Sequence, residues 1–139
     1  MEMTIPATLA NLDKVSAFTE EYLESIDCPM KLMMKLSVAM EEIYVNVAHY
    51  AYPGENADGT GMVTVTFDHD PAQNLLTVVF KDQGIPFNPL EKEDPDVTAS
   101  AEDRAIGGLG IFMVRKTMDD MSYRYEDGSN ILTMKKHLA

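Results

Sequence analysis

The sequence predicts an α+β fold, a two-layer α/β sandwich with helices packed on one face of a mixed, largely antiparallel sheet. Helical spacing of apolar residues dominates the first half of the chain, and the strand-like segments follow mostly in turn-linked pairs. The chain has 139 residues, of which 45% are hydrophobic and 24% charged. We therefore expect a single domain over residues 1–139 with a substantial core.

The first half of the chain contains a short predicted strand and two predicted helices. The strand covers residues 4–7. Asn11 is a predicted helix cap, because the apolar residues after it repeat at helical spacing. Residues 27–29 end this helix, and Pro29 fits the first turn of a second helix that runs to about Tyr50.

The second half of the chain contains most of the predicted strands. β-Branched and aromatic runs, separated by turn-forming residues, predict two hairpins and one further helix. The predicted elements are a loop at 53–61, strands at 62–67 and 75–81, a helix at 110–118, and strands at 121–125 and 130–136. Residues 88–103 are acidic and aperiodic, and we expect them to form a mobile loop over a site.

Charge and cysteine content narrow the classes of function. The formal net charge is −12 at pH 7, which argues against recognition of a nucleic-acid backbone. Cys28 has no second cysteine to pair with, and the sequence shows neither a signal peptide nor an apolar run that could span a membrane. These features predict a cytoplasmic protein without membrane contact. The eleven methionines are typical of core filling, although an adaptable partner surface also uses methionine.

The second helix carries a polar row beside its apolar stripe. Glu42, Asn46 and His49 are spaced i, i+4 and i+7, so they follow one flank of the helix. Polar groups that are half-buried there need partners. A solvated helix flank would explain the row taken alone, and a structural hydrogen bond is the favoured interpretation of His49.

Two glycine-containing stretches follow the helix along the chain. Residues 82–84, Asp-Gln-Gly, come directly after a predicted strand and taken alone are typical of an ordinary turn. Residues 107–110, Gly-Gly-Leu-Gly, lie where a loop enters a helix, so exposed N–H groups and the helix dipole favour an anion there. Their spacing matches neither a Walker A sequence nor a dinucleotide fingerprint.

Together, these three stretches resemble the N, G1 and G2 boxes of the GHKL (Bergerat-fold) ATPases, and they are most similar to those of bacterial anti-sigma factor serine kinases. The boxes have the family's order and approximate spacing, and the resemblance runs from about Ile5 to Lys136. It implies the histidine-kinase-like ATPase fold, with ATP and Mg²⁺ as cofactors. The implied partners are a sigma factor and an anti-anti-sigma antagonist whose serine is phosphorylated, and a homodimer is an expectation from relatives.

The resemblance also implies a role for individual residues. Asn46 corresponds to the family's magnesium-binding asparagine, Glu42 to the acidic residue that activates the attacking hydroxyl, and Asp82 to the aspartate that reads the adenine amino group. The implied cofactor-binding residues are Asn46, Asp82, Gly84, Gly107, Gly108, Leu109 and Gly110. Arg104 is a second catalytic candidate that could reach the γ-phosphate, and a surface arginine balancing its acidic neighbours explains it equally well. Residues 85–87, Ile-Pro-Phe, depart from the second glycine that the family often has.

Two classes of function remain open at this point. The first is an ATP-dependent protein serine kinase that also acts as an anti-sigma factor. The alternative is a nucleotide-gated protein-binding module with little or no kinase activity, which the acidic loop and the net charge favour. The ATP-binding part of a two-component histidine kinase fits less well, because no preceding helix pair carries a phosphoacceptor histidine.

Overall fold

The computed structural model of the protein describes residues 1–91 and 108–138, which form a sheet with three α-helices. In chain order, the elements of these residues are β1 (Glu2–Pro6), α1 (Leu12–Ser25), α2 (Met30–Tyr50), β2 (Met62–Asp70), β3 (Leu75–Asp82), α3 (Gly108–Thr117), β4 (Asp120–Glu126) and β5 (Ser129–His137). Short 3₁₀ turns lie at Leu9–Asn11 and Pro89–Glu91, and a turn with positive φ angles lies at Pro53–Asn56.

The strands form one sheet in the order β1-β2-β3-β5-β4. Every neighbouring pair of described strands is antiparallel, so the mixed component that the sequence led us to expect is not observed in this part of the chain. The reason is that β2–β3 and β4–β5 are hairpins, which are antiparallel by construction, and β5 runs antiparallel to β3. This last pairing places Asn130 directly opposite Asp82.

The helices cover one face of the sheet, as predicted. Alternate residues of the strands point into this layer, so that Val63, Val65 and Phe67 of β2 are buried. The ring of Phe67 packs on Phe18 and Tyr22 of α1, with centroid distances of 5.4 and 5.3 Å. Four of the five stripe residues predicted for α2 are fully buried, and Val47 is partly buried at its edge. The stripe consists of Leu36, Ala39, Met40, Ile43 and Val47.

Some local predictions need correction. Asn11 directly precedes α1, but its side chain makes no capping bond and its Nδ2 instead donates to Pro6 O at 2.8 Å. Asn11 therefore occupies the predicted N-cap position, but the side-chain capping bond is absent. The preceding 3₁₀ turn already supplies a carbonyl, from Leu9, to the first helical N–H group. Pro29 precedes the first residue of α2 and accepts its first helical hydrogen bond.

The first strand begins earlier than predicted, at Glu2. Most of the loop predicted at 88–103 lies outside the described residues, which contain its beginning, including the turn Pro89–Glu91. Of the helices in the described ranges, none combines the length and apolar character that a membrane crossing requires.

Candidate functional site

The polar row of α2 lies along the edge where this helix faces the sheet. Asn46 is buried, with 5% of its surface exposed, and Glu42 and His49 are half-buried. Nδ2 of Asn46 donates to the Glu42 carbonyl one turn earlier, at 3.1 Å. Since that bond fixes the amide, Oδ1 faces the other way, and it accepts no hydrogen bond from residues 1–91 or 108–138.

Asp82 ends β3 in a buried position, with 6% of its surface exposed. Its Oδ1 accepts two hydrogen bonds at 2.9 Å, from the Gly84 N–H and from Nδ2 of Asn130. Its Oδ2 has no partner within the described part of the chain. Burial raises the pKa of Asp82, and the two hydrogen bonds oppose that rise. The carboxyl group therefore combines an anchored oxygen with a free one.

Asn130 holds this end of the site together. Its Nδ2 donates to Asp82 and to the Ile85 carbonyl, and its Oδ1 accepts from the Phe87 N–H and the Tyr123 hydroxyl. All four hydrogen-bonding positions of the amide are used, so both side chain and turn are fixed. The sequence analysis missed this residue. Its only sequence signal is a polar residue within a predicted strand. Its position opposite Asp82 depends on the strand register, which is known only from the fold.

Gly84 fits against the end of α2. A Cβ atom on Gly84 would lie 2.1 Å from the Ala51 carbonyl oxygen and 2.8 Å from the Ala51 Cβ. The adjacent Ile85 N–H donates to that same carbonyl at 2.8 Å. The absence of a side chain therefore allows the turn after β3 to contact the helix backbone. Packing against Ala51 therefore favours glycine at this position. The close approach of a ligand, which the family resemblance implies, would be a second reason.

A pocket opens between the C-terminal half of α2 and the sheet. Its walls are mostly apolar, with Asn46, Asp82 and Asn130 as polar groups. The lining residues are Ile43, Asn46, Val47, Ala51, Phe80, Asp82, Phe87, Pro89, Tyr123, Asn130 and Leu132. The structure thus brings two of the predicted residues, Asn46 and Asp82, into one pocket.

An aromatic pair at the pocket wall and a nearby tyrosine support the pocket. The ring of Phe87 stacks on Tyr50, with centroids 5.4 Å apart. The Tyr52 hydroxyl accepts a hydrogen bond from the Gln83 N–H at 2.9 Å and donates to the Met62 carbonyl. The end of α2, the start of β2 and the turn after β3 are therefore tied to one another.

Glu42 does not line this pocket. It lies in the groove between α2 and α3, where a Cβ atom on Gly110 would be 2.1 Å from its Oε2. The separation arises because Glu42 is one helical turn, about 6 Å, before Asn46. Its carboxylate has no hydrogen bond or ion pair with the described residues. The structure therefore places Glu42 beside the start of α3.

The remaining predicted residues fall partly outside the described ranges. Gly108 and Leu109 begin α3, in agreement with a glycine-rich helix start, whereas Gly107 and Arg104 lie outside the described residues. His49 Nδ1 is 3.2 Å from Oε1 of Glu55, which gives this histidine the structural hydrogen bond that the sequence favoured.

Glu55 belongs to a left-handed turn directly after α2. Gly54, Glu55 and Asn56 have φ angles of +62°, +55° and +60°. Asn56 compensates for this unusual backbone, because its buried side chain donates to the carbonyls of Ala7 and Gly61 and accepts from the Gly61 N–H. The turn thereby joins the end of β1 to the start of β2.

Known proteins share sequence features with this chain. Residues 5–136 match the family described as the histidine kinase-like ATPase domain. The chain belongs to this family. Among curated proteins, this histidine kinase-like ATPase domain is similar to the serine-protein kinase RsbW of Listeria monocytogenes, with 30% identity over 104 residues. That match covers 72% of this chain and 63% of the Listeria protein's length. It is also 27% identical to the serine/threonine-protein kinase BtrW of Bordetella bronchiseptica, over 78% of this chain and 73% of that protein.

Solved structures confirm the fold of this histidine kinase-like ATPase domain. The RsbU and RsbW domains of Rv1364c from Mycobacterium tuberculosis superpose with a TM-score of 0.65 at 14% identity, over 99% of this chain and 32% of that chain. The SiaB-SiaC complex of Pseudomonas aeruginosa gives a TM-score of 0.60 at 14% identity, over 98% of this chain and 88% of the other. Together with the family match, these relatives confirm the expected resemblance to GHKL ATPases and anti-sigma kinases.

Proposed function

We propose that the protein binds Mg·ATP in the pocket between α2 and the sheet and acts as an anti-sigma factor and protein serine kinase in a partner switch. Its substrate would be a serine of an anti-anti-sigma antagonist. The observation that carries the proposal is that Asn46 and Asp82 each have an unused oxygen in the wall of one pocket. Membership of the ATPase family and the names of its kinase relatives support it.

Asp82 is proposed to select adenine. An ionised carboxylate accepts hydrogen bonds only, and the exocyclic amine of adenine is a donor, so the free Oδ2 has the matching chemistry. The anchored Oδ1 keeps that oxygen in place without further ordering. The apolar walls, including Ile43 and Leu132, would cover the faces of a purine ring.

Asn46 is proposed to hold the magnesium ion. An amide oxygen is a hard ligand suited to Mg²⁺, which takes few protein ligands and completes its coordination with water and phosphate oxygens. The residue fits this role because its Nδ2 is already bonded within the helix and Oδ1 is unused. Bound magnesium would supply neutralisation of the phosphate charge.

Glu42 is proposed to position and deprotonate the attacking serine. The serine oxygen would form a bond to the γ-phosphorus while the bond from that phosphorus to the β–γ bridging oxygen breaks, leaving ADP. The hydroxyl proton would pass to the Glu42 carboxylate, which has no competing partner in the described ranges. The backbone N–H groups at the start of α3 would face the anionic phosphates, as helix N-termini do.

Thermal unfolding with and without Mg·ATP tests the nucleotide site. At about 100 times the dissociation constant, a ligand should stabilise the fold by about 2.7 kcal/mol, a shift of several degrees. In the wild type the shift should be larger with magnesium than with ATP alone, and it should be lost in Asp82→Asn. In Asn46→Ala, only the magnesium-dependent part should be lost. An ATP-dependent shift that survives Asp82→Asn would contradict the proposed reading of adenine.

Phosphoryl transfer is tested with radiolabelled ATP and the anti-anti-sigma proteins of the source organism. Glu42→Gln should lower the transfer rate by about a hundredfold or more, because the general base is lost, while the ATP-dependent thermal shift stays unchanged. Glu41→Gln, one residue earlier on the same helix, is the control. Loss of ATP binding in Glu42→Gln would indicate a binding role for Glu42 instead of a catalytic one.

The second candidate function is a nucleotide-gated binding module without kinase activity. It is favoured by the position of Glu42, which lies in the α2–α3 groove and not in the pocket. Such a protein would bind its partner with different affinity in ATP and in ADP, and Glu42→Gln would leave both affinities unchanged. Phosphate transfer that depends on Glu42 would rule out this candidate.

A further inference from the structure

A row of large apolar side chains is exposed on the outer side of α2. Met30, Met34 and Val38 follow one another at i, i+4 and i+8 with 66%, 65% and 56% of their surface exposed, and Met113 of α3, 51% exposed, joins them. Met34, Val38 and Met113 line one groove between the two helices. Large exposed apolar patches of this kind mark interaction sites more often than solvent-facing surface.

Lysine side chains border this apolar row, although the protein as a whole is strongly acidic. Lys35 lines the groove itself, and Lys35, Lys116 and Lys136 line the adjoining hollow between α2, α3 and the end of β5. Lys31 borders the next hollow along α2, together with Lys35 and Lys136. We call the apolar row and these lysines the Met–Lys surface.

These lysines are mostly unneutralised. Lys31, Lys35 and Lys116 make no ion pair with the residues that the structure describes, while Lys136 bonds to Asp119 at 3.2 Å. Among the described residues that line the groove and the two hollows, these four lysines accompany a single carboxylate, that of Glu42. In a chain of net charge −12, this is a local excess of positive charge beside an apolar groove. Such a field extends about 8 Å at physiological ionic strength, so it acts on a ligand seated there.

We infer that the Met–Lys surface docks an acidic amphipathic helix of a partner protein. Apolar anchors of that helix would enter the groove beside Met34, Val38 and Met113, and its carboxylates would meet the lysines. The exposed row spans two helical turns, about 12 Å, which suits anchors at i, i+4 and i+7 on the partner. We choose an acidic partner helix because its carboxylates complement the positive charge of the lysines.

Two other occupants fit the surface less well. A second copy of this chain, paired through the same surface by a two-fold axis, would bring lysines towards lysines. An anionic membrane would face the whole side of a protein with net charge −12 and be repelled by it. The Met–Lys surface lies outside the pocket between α2 and the sheet, although Glu42 also lines its groove.

The test uses a fluorescein-labelled helical peptide of about 18 residues, with leucines at i, i+4 and i+7 and glutamates on both flanks. A second peptide has the same leucines and lysines in place of the glutamates. Binding to the full chain is measured by fluorescence anisotropy without nucleotide. We expect the acidic peptide to bind at least about tenfold more tightly than the basic one, and added salt to reduce that preference.

Variants locate the binding. Met34→Glu and the double variant Lys35→Glu/Lys116→Glu should each weaken binding of the acidic peptide about tenfold or more. The matched controls are Met62→Glu, an exposed methionine at the start of β2, and Lys14→Glu/Lys81→Glu, which change the net charge equally. Circular dichroism verifies that all variants are folded.

Three results would overturn the inference. The first is equal binding of both peptides, or binding that Met34→Glu does not weaken. The second is a dimer, seen by sedimentation velocity, that Met34→Glu dissociates, since the occupant would then be a second copy. The third is binding to phosphatidylserine vesicles that Lys35→Glu/Lys116→Glu abolishes, since the surface would then contact lipid.

Discussion

The two ends of the candidate site, at Asp82 of β3 and at Glu42 of α2, differ in how fully their polar groups are satisfied. At the Asp82 end, Asn130 uses all four of its hydrogen-bonding positions and fixes the turn after β3. At the Glu42 end, the carboxylate lies against Gly110 and has no partner in the described part of the chain. The end that is proposed to bind adenine is therefore fixed by hydrogen bonds within the protein. The end that is proposed for phosphoryl transfer leaves its carboxylate available to a ligand.

The largest loss of stability is expected for Asn130→Ala, which removes the hydrogen-bond network at the Asp82 end. Removing the amide takes away the buried hydrogen bond to Asp82 and the part-buried bonds to the Tyr123 hydroxyl and the Ile85 carbonyl. We expect a loss of about 2–4 kcal/mol in the free energy of unfolding, measured by urea denaturation. Thr133→Ala, on the other side of the same strand, should cost less than about 1 kcal/mol. A loss of similar size in both variants would mean that the Asn130 network contributes no more to the free energy of unfolding than the Thr133 side chain does.

Two glycine substitutions sharpen the comparison. In Gly84→Ala the new methyl group meets the backbone carbonyl of Ala51, which cannot move without shifting α2, so we expect a loss of about 1–3 kcal/mol. In Gly110→Ala it meets the end of the flexible Glu42 side chain, which can rotate away, so the loss should be below about 1 kcal/mol. Urea denaturation of both variants measures the difference. A larger loss in Gly110→Ala than in Gly84→Ala would contradict it.

The smallest effect concerns pH. Because burial raises the pKa of Asp82, the folded state binds this proton more tightly than the unfolded chain does. The ionised carboxylate therefore lowers stability above the folded-state pKa, and this penalty is relieved as the pH falls through that pKa. The unfolding free energy of the wild type minus that of Asp82→Asn should rise between about pH 7 and about pH 4.

The subtraction is needed because other carboxylates act in the opposite direction. Hydrogen bonds, first from the His137 N–H, lower the pKa of Asp119, so its contribution is lost as the pH falls. Asp82→Asn retains an oxygen that can accept from Gly84 and Asn130, and it does not titrate. If the wild type instead loses stability on acidification relative to the variant, then the network stabilises the ionised form.

Much of the fold was predictable from local patterns. The apolar stripe of α2 predicted a helix because its helical period holds over several turns. The β-branched and aromatic runs on both sides of residues 71–74 predicted a hairpin. Asp82 at the end of a strand and Asn46 on the helix flank were also identifiable, since each lies in a recognisable box. The structure brings both residues into the lining of one pocket, and their roles as binding residues remain predictions.

The remainder depends on contacts between distant parts of the chain. Asp82, to which Asn130 donates, lies on the neighbouring strand but 48 positions earlier in the chain, so no local pattern marks the pair. The position of Glu42 outside the pocket depends on how α3 packs against α2. The side-chain capping bond expected of Asn11 is absent because a preceding turn, itself without a periodic signal, supplies a carbonyl to the first helical N–H group.

The pairing of β1 with β2 has a consequence for the order of folding. The hairpin β2–β3 closes over a few residues, whereas the β1–β2 register sets Glu2 opposite Thr66, with both long helices between them. Closing that longer segment loses more chain entropy before any hydrogen bond forms. The hairpins are therefore expected to form early and β1 to join the sheet late. Amide protons in β1 should exchange with solvent faster than those in β3, although both strands belong to the same sheet.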